Sequence, residues 1–156
     1  RGVLDAPPGT RLLDLGCGTG VLLKEATDFH GTGADFSPTA LEFCRTRGLA
    51  RLALADGQAL PFADGSFDVV VALDVFEHIP DDRAAFAEAA RVLRPGGILV
   101  LSVPAFRWLW GPHDVALHHH RRYRASEIGR LLSDAGFAKE RLSYAIFFLF
   151  PFVIAS

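Results

Sequence analysis

Methionine is missing from all 156 positions, the first included, so a trimmed chain without its natural start is expected. Cysteine occurs only twice, at Cys17 and Cys44. That excludes the disulfide framework of a small secreted domain and points to a reducing, cytoplasmic setting. Neither sign of charge dominates: 16 basic and 18 acidic residues leave a net charge of −2. Nothing in the whole chain therefore draws it to nucleic acid or to an anionic membrane. No apolar run reaches the roughly 20 residues needed to cross a bilayer. The longest, Leu142 to Ala155, is interrupted by Pro151; it reads as a buried strand and helix or, if exposed, as a peripheral membrane or lipid contact. Repeats, linkers and low-complexity tracts are absent too, which leaves a single domain over residues 1–156.

What the chain does have is a hydrophobic content of 50%, arranged as short apolar runs between helical signals. Leu12 to Leu15, Gly33 to Asp35, Leu52 to Ala55, Val69 to Leu73 and Ile98 to Val103 read as strands buried on both faces. Ser37-Pro38 starts a helix that Gly48 closes. Asp81 and Asp82 open another, with Phe86, Ala90 and Leu93 on one face, Arg91 and Arg94 in its last turn, and Pro95-Gly96-Gly97 as its stop. Ser126 caps a third, with Ile128, Leu131, Leu132 and Ala135 inward and Gly136 at its end. Strands alternating with helices predict an α/β fold: a doubly wound, Rossmann-like and mostly parallel sheet with helices on both faces. No final antiparallel strand can be assigned before the chain stops.

The most specific string is LLDLGCGTG, Leu12 to Gly20. A strand running into alternating glycines lets a ligand approach backbone where a Cβ would intrude, and a helix N-terminus follows. The dinucleotide fingerprint spaces its glycines G-x-G-x-x-G with an acid about 20 residues on. Here Gly16, Gly18 and Gly20 run G-x-G-x-G, Val21 stands where a glycine is wanted, and Asp35 keeps the acidic position. With GADFSPTAL, ADGQALPFADGSFDVVVALDVFEHIPD and LRPGGILVLSVP following in order, residues 10 to 104 resemble class I S-adenosylmethionine-dependent methyltransferases, in particular the bacterial type 11, ubiquinone-pathway-like group.

The resemblance implies an enzyme that uses S-adenosylmethionine. Gly16, Gly18 and Gly20, with Cys17 between them, would approach the methionine moiety and ribose. Asp14 would help fix the methionine amino end, and Asp35, followed by Phe36, would accept the ribose hydroxyls. Asp56, with Gly57 and Gln58, would meet the adenine edge, and Leu73 would flank the cofactor. Asp74-Val75-Phe76-Glu77-His78 is similar to the E-x-x-E-H of ubiquinone-pathway O-methyltransferases and small-RNA methyltransferases, which hold a divalent cation. Asp74, Glu77 and His78 are thus candidate metal ligands, with a hydrogen-bonding structural role the favoured alternative.

The acceptor side falls on Trp108 to Arg124. A histidine there, His113 or His118, would serve as general base for a hydroxyl. Trp110, His113, Arg121, Arg122 and Tyr123 would hold the substrate, the arginines through phosphate or carboxylate; a solvated loop is the competing reading. No N-P-P-Y-like string follows the fourth strand, which disfavours methylation of base or amide nitrogen. The expected reaction is methyl transfer to a small-molecule, lipid-linked or sugar-linked acceptor, with oxygen favoured and no nucleic acid involved. A non-catalytic cofactor-binding module and an NAD(P)-dependent oxidoreductase are the alternatives.

Overall fold

The computed structural model describes residues 6–144. The apolar stretch beyond residue 144 lies outside the described residues. Five parallel strands form one sheet in the order β3-β2-β1-β4-β5. They are β1 (Arg11–Leu15), β2 (His30–Asp35), β3 (Leu52–Leu54), β4 (Phe67–Leu73) and β5 (Leu93–Ser102). The helices are α1 (Val21–Glu25), α2 (Pro38–Thr46), α3 (Asp82–Val92), α4 (Pro112–Ala116) and α5 (Ala125–Asp134). The strand order reverses between β1 and β4, and in open α/β sheets ligands bind at that crevice, beyond the strand C-termini.

Strand alternation explains the two-sided core. Leu13, Leu15, Val70 and Ala72 join Phe76, Phe86, Val92 and Ile128 in one cluster. Leu12, Val69 and Val71 turn to the other face and pack with Leu23 of α1 and Leu41 and Cys44 of α2. At the edge away from the crevice, Asp68 ties three strands together. Its carboxylate accepts from the Arg11 backbone N–H at 2.8 Å and from the Arg94 Nε at 2.7 Å, and these arginines hold its pKa below the ordinary carboxylate range.

The helix starts follow the sequence reading in two cases. The Ser37 hydroxyl accepts from the Ala40 N–H, and the Asp81 carboxylate from the Ala84 N–H. Two details differ. Helix α3 ends at Val92 and buries Ala85, Phe86, Ala89 and Val92, so Leu93 and Arg94 belong to β5 and Pro95-Gly96-Gly97 forms a bulge inside it. Between the pairs Phe67↔Leu93 and Val69↔Ile98, β5 carries extra residues. A Cβ on Gly97 would lie 2.9 Å from the Arg94 carbonyl oxygen, so only glycine fits. The second difference is the start of α5: Arg124 is the N-cap, and the Glu127 carboxylate accepts its N–H at 2.8 Å. Glu127 at the third helical position therefore does what Ser126 was expected to do.

Candidate functional site

The ends of β1, β2, β3 and β4 open on a cavity of about 550 Å³. Its walls include Leu15, Gly16, Asp35, Phe36, Asp56, Gly57, Gln58, Asp74 and His78. Gly16 has a φ of 68°, and a Cβ there would fall 2.5 Å from a Val75 methyl. The turn needs glycine for both conformation and space. A Cβ on Gly57 would lie 2.7 Å from the end of the Ile79 side chain, which would have to shift.

The glycine loop does not present the free amides expected of it. The N–H groups of Gly16 and Cys17 donate to the Ala34 carbonyl at 2.8 and 3.1 Å, and that of Gly20 to the Cys17 carbonyl at 2.8 Å. The Gly18 N–H donates to the Asp35 carboxylate at 2.8 Å. Helix α1 is also only five residues long, too short for a strong terminal dipole. The loop contributes shape rather than donors. Gly20 answers a packing need, since a Cβ would collide with Leu49 and Cys44. Cys17 is buried with its Sγ 4.0 Å from that of Cys44. Cys17, Gly18 and Gly20 are not among the residues that line the cavity.

Asp35 ends β2 and takes two backbone N–H groups, one from Gly18 and one from Ser37 at 2.8 Å. Each oxygen keeps a second lone-pair direction for ligand hydroxyls. Asp56, after β3, accepts from the Gln58 backbone N–H at 2.9 Å and from its side-chain amide at 3.0 Å. The Gln58 side-chain oxygen accepts the Asp81 N–H at 3.2 Å, so Gln58 braces Asp56. Phe36 stands 78% exposed at the rim, an aromatic face without cover. Asp14 is buried, and burial, then the nearby Asp35 charge, push its pKa up to about 7. Leu73 is half exposed; the turn after it, with Asp74 at φ 54°, lines the cavity in its place.

Among the described residues, the cavity wall thus carries three carboxylates and no lysine or arginine. It suits a ligand with positive charge and hydroxyl groups. A pyrophosphate would face repulsion there.

The acceptor-side residues fall differently. His113 and His118 are exposed and lie outside the cavity wall, as does Trp110. Arg121 pairs with Asp82 at 2.8 Å and donates to the Pro80 carbonyl at 2.6 Å. Arg122 donates from Nε to the Asp114 carboxylate at 2.7 Å and from its terminal nitrogen to the Ala105 carbonyl at 3.2 Å. Tyr123 is 3% exposed, its hydroxyl 3.1 Å from both the Phe76 carbonyl and the Asp82 carboxylate. These side chains fasten the segment to the sheet.

Two residues that sequence reasoning passed over, Asp114 and His119, stand beside them. Asp114 is fully buried; burial alone would raise its pKa, but Arg122, the Gly111 N–H and His119 outweigh it and hold the group ionised, below the usual range. His119 places Nδ1 3.0 Å from the Asp114 carboxylate. His78 packs edge-on against His119 with ring centres 4.7 Å apart. The signal was the H-D-x-x-x-x-H spacing of residues 113–119, in which the acid mattered more than the first histidine.

A parallel 3-2-1-4-5 sheet with carboxylates after β2 and β3 and a glycine turn after β1 defines a class I nucleoside-cofactor domain. The comparisons make it particular. The profile of the family described as "Methyltransferase domain" matches residues 13–101, and the chain belongs to that family, whose cofactor is S-adenosylmethionine. Over 103 residues it is 42% identical to 2-methyl-6-phytyl-1,4-hydroquinone methyltransferase of Synechocystis, covering 62% of this chain and 32% of the relative. It is 40% identical to 27-O-demethylrifamycin SV methyltransferase of Amycolatopsis mediterranei (64% and 40% covered). It is 37% identical to the mouse protein named probable tRNA methyltransferase 9B (64% and 23% covered). The chain spans less than half the length of each of these relatives. In fold it matches phosphoethanolamine N-methyltransferase 2 of Haemonchus contortus, solved with S-adenosylmethionine, with a TM-score of 0.76 and 21% identity over 96% of this chain and 38% of that one. Among the described residues, no helix is long and apolar enough to cross a membrane.

Proposed function

We propose that this domain transfers the methyl group of S-adenosylmethionine to the oxygen of a small-molecule, lipid-linked or sugar-linked acceptor in the cytoplasm. The observation that carries the donor is the cavity wall: Asp35, Asp56 and Asp74, with no lysine or arginine among the described lining residues, around a turn that admits no Cβ at Gly16. The residues fit the cofactor. Asp35 would hold the ribose hydroxyls, Asp56 the adenine amino edge, and Phe36 would lose its exposure against the base. Buried Asp14, with a pKa of about 7, ionises readily when an ammonium group comes near.

Methyl transfer from a sulfonium is an in-line displacement, so the domain's task is alignment and exclusion of water. Oxygen is favoured as acceptor because no N-P-P-Y-like string follows β4, and a relative acting on a demethylrifamycin oxygen is in keeping with it. The hydroquinone relative supports an acceptor with an apolar tail. The near-neutral charge favours these over tRNA.

Titration calorimetry with S-adenosylmethionine, S-adenosylhomocysteine and NAD tests the donor: binding of the first two and not of NAD is expected, and NAD binding alone overturns the reading. Turnover with a prenylated hydroquinone and a matched aniline tests the acceptor. Faster methylation of the aniline would reject oxygen, and binding without turnover on either would favour a non-catalytic module.

A further inference from the structure

We propose that Asp74 receives the acceptor's hydroxyl and that Ser102, at the end of β5, aims it. The assignment rests on the methyl-transfer reading above, with oxygen as the acceptor atom. Asp74 directly follows β4 and lines the cavity with Asp35 and Asp56. Asp35 suits the ribose and Asp56 the adenine edge, which leaves Asp74 as the carboxylate, among the described lining residues, with no hydrogen-bonding group of the donor assigned to it. Its neighbour fixes where it stands: Val75 packs so closely on the glycine turn that a Cβ on Gly16 would fall 2.5 Å from its methyl. The 74–75 turn thus abuts the turn that would take the methionine moiety, the end of the cofactor that carries the reacting methyl.

The backbone here serves the side chain. Asp74 has a φ of 54°, in the left-handed region that glycine enters without strain and other residues seldom enter. A turn with no further duty would be served better by glycine, and strained residues of this kind gather at functional sites. Two bonds to the end of β5 hold the strained residue. The Asp74 N–H donates to the Ser102 carbonyl at 3.0 Å, and the Ser102 hydroxyl donates to Oδ1 of Asp74 at 3.0 Å. Among the described residues, nothing donates to Oδ2. One carboxylate oxygen is fixed and the other is left for a ligand in the cavity.

The chemistry matches. As the methyl passes from sulfur to oxygen, the carbon–sulfur bond breaks with its electron pair kept by sulfur, and a carbon–oxygen bond forms from an oxygen lone pair. Positive charge moves from the sulfonium to an acceptor oxygen that still carries its proton. A carboxylate accepting that O–H turns a lone pair towards the methyl and favours the charge where it develops. The proton then crosses the hydrogen bond to Oδ2 and leaves to water. Asp74 thereby selects acceptors that bear hydrogen on the attacking atom, and Ser102 acts through Asp74 as a positioning residue.

Turnover of a prenylated hydroquinone, read beside S-adenosylmethionine affinity by calorimetry, tests this. Asp74→Asn keeps the size of the side chain, and Asp74→Gly relaxes the left-handed backbone and so secures the fold. Both should lower kcat about 100-fold or more, with cofactor affinity within about threefold of wild type. Ser102→Ala should lower kcat about tenfold by loosening the aim, and Ser102→Thr, which keeps the hydroxyl, should recover it. Turnover within about threefold of wild type in either Asp74 variant overturns the assignment and leaves the methyl-transfer reading standing. Loss of cofactor affinity equal to the loss of turnover also overturns it, by moving Asp74 to the donor. An impaired Ser102→Thr or a fully active Ser102→Ala removes Ser102 from the role. A wild-type chain that binds the cofactor but does not methylate the hydroquinone rejects oxygen as the acceptor, and this assignment with it.

Discussion

The cavity wall and the 111–124 segment outside it are built on opposite plans. On the donor side, the working groups sit at strand ends, close in sequence to the turns that hold them: Gly16 after β1, Asp35 closing β2, Asp56 after β3. On the acceptor side, the polar residues of the 111–124 segment mostly face one another, through Asp114, His119 and Arg122 and through Arg121, Tyr123 and Asp82. The first half displays its chemistry to a ligand. The second uses most of its polar groups to hold a long connection in place.

The contrast can be broken at several points. Asp35→Ala should have the largest effect, lowering S-adenosylmethionine affinity by about a thousandfold, or ~4 kcal/mol for two charge-assisted hydrogen bonds. It should leave the 111–124 segment folded; a change below tenfold in calorimetry would remove Asp35 from the ribose role. Arg122→Ala is expected to do the opposite. With Asp114 left buried and short of its cation, stability should fall by about 3 kcal/mol, visible as a lower midpoint in urea, while cofactor affinity shifts by no more than about threefold. A loss of affinity without a loss of stability would return Arg122 to the ligand.

Asp14 gives a smaller effect with a definite sign. Its folded pKa, about 7, is raised above the usual 3.8. The apo domain therefore carries this group's stability in full below about pH 4 and loses it as pH rises towards 7. Cofactor binding should strengthen over that same rise, as the carboxylate becomes available to an ammonium group, and Asp14→Asn should flatten both dependences in parallel titrations. Smallest of all, His113→Ala should change turnover by less than about twofold, since its side chain lies off the cavity wall. A tenfold fall would restore it as the general base.

Much of the donor half was legible because it depends on local rules. Alternating glycines after an apolar run, an acid at the end of the next strand, and Ser37-Pro38 or Asp81-Asp82 at a helix start each act within a few residues. The parallel sheet with helices between its strands followed from the alternation of elements. What the sequence concealed was pairing at a distance. Nothing local marks Asp114 as fully buried or sets His119 beside His78, because both depend on a loop folding back onto the turn after β4. The β5 bulge was hidden for a related reason: Pro95-Gly96-Gly97 stops a helix as readily as it bends a strand, and only the neighbouring β4 decides between them.

The glycine turn after β1 has a kinetic consequence. Its amides are bonded to Ala34, Cys17 and Asp35 before any ligand arrives, so this turn is ready-made and its own backbone need not be ordered on entry, a saving of about 1–2 kcal/mol per residue. Cofactor association should then proceed at the pace of diffusion into an open mouth, without a slow conformational phase. Exchange of the spent donor for a fresh one would be governed by how quickly it leaves.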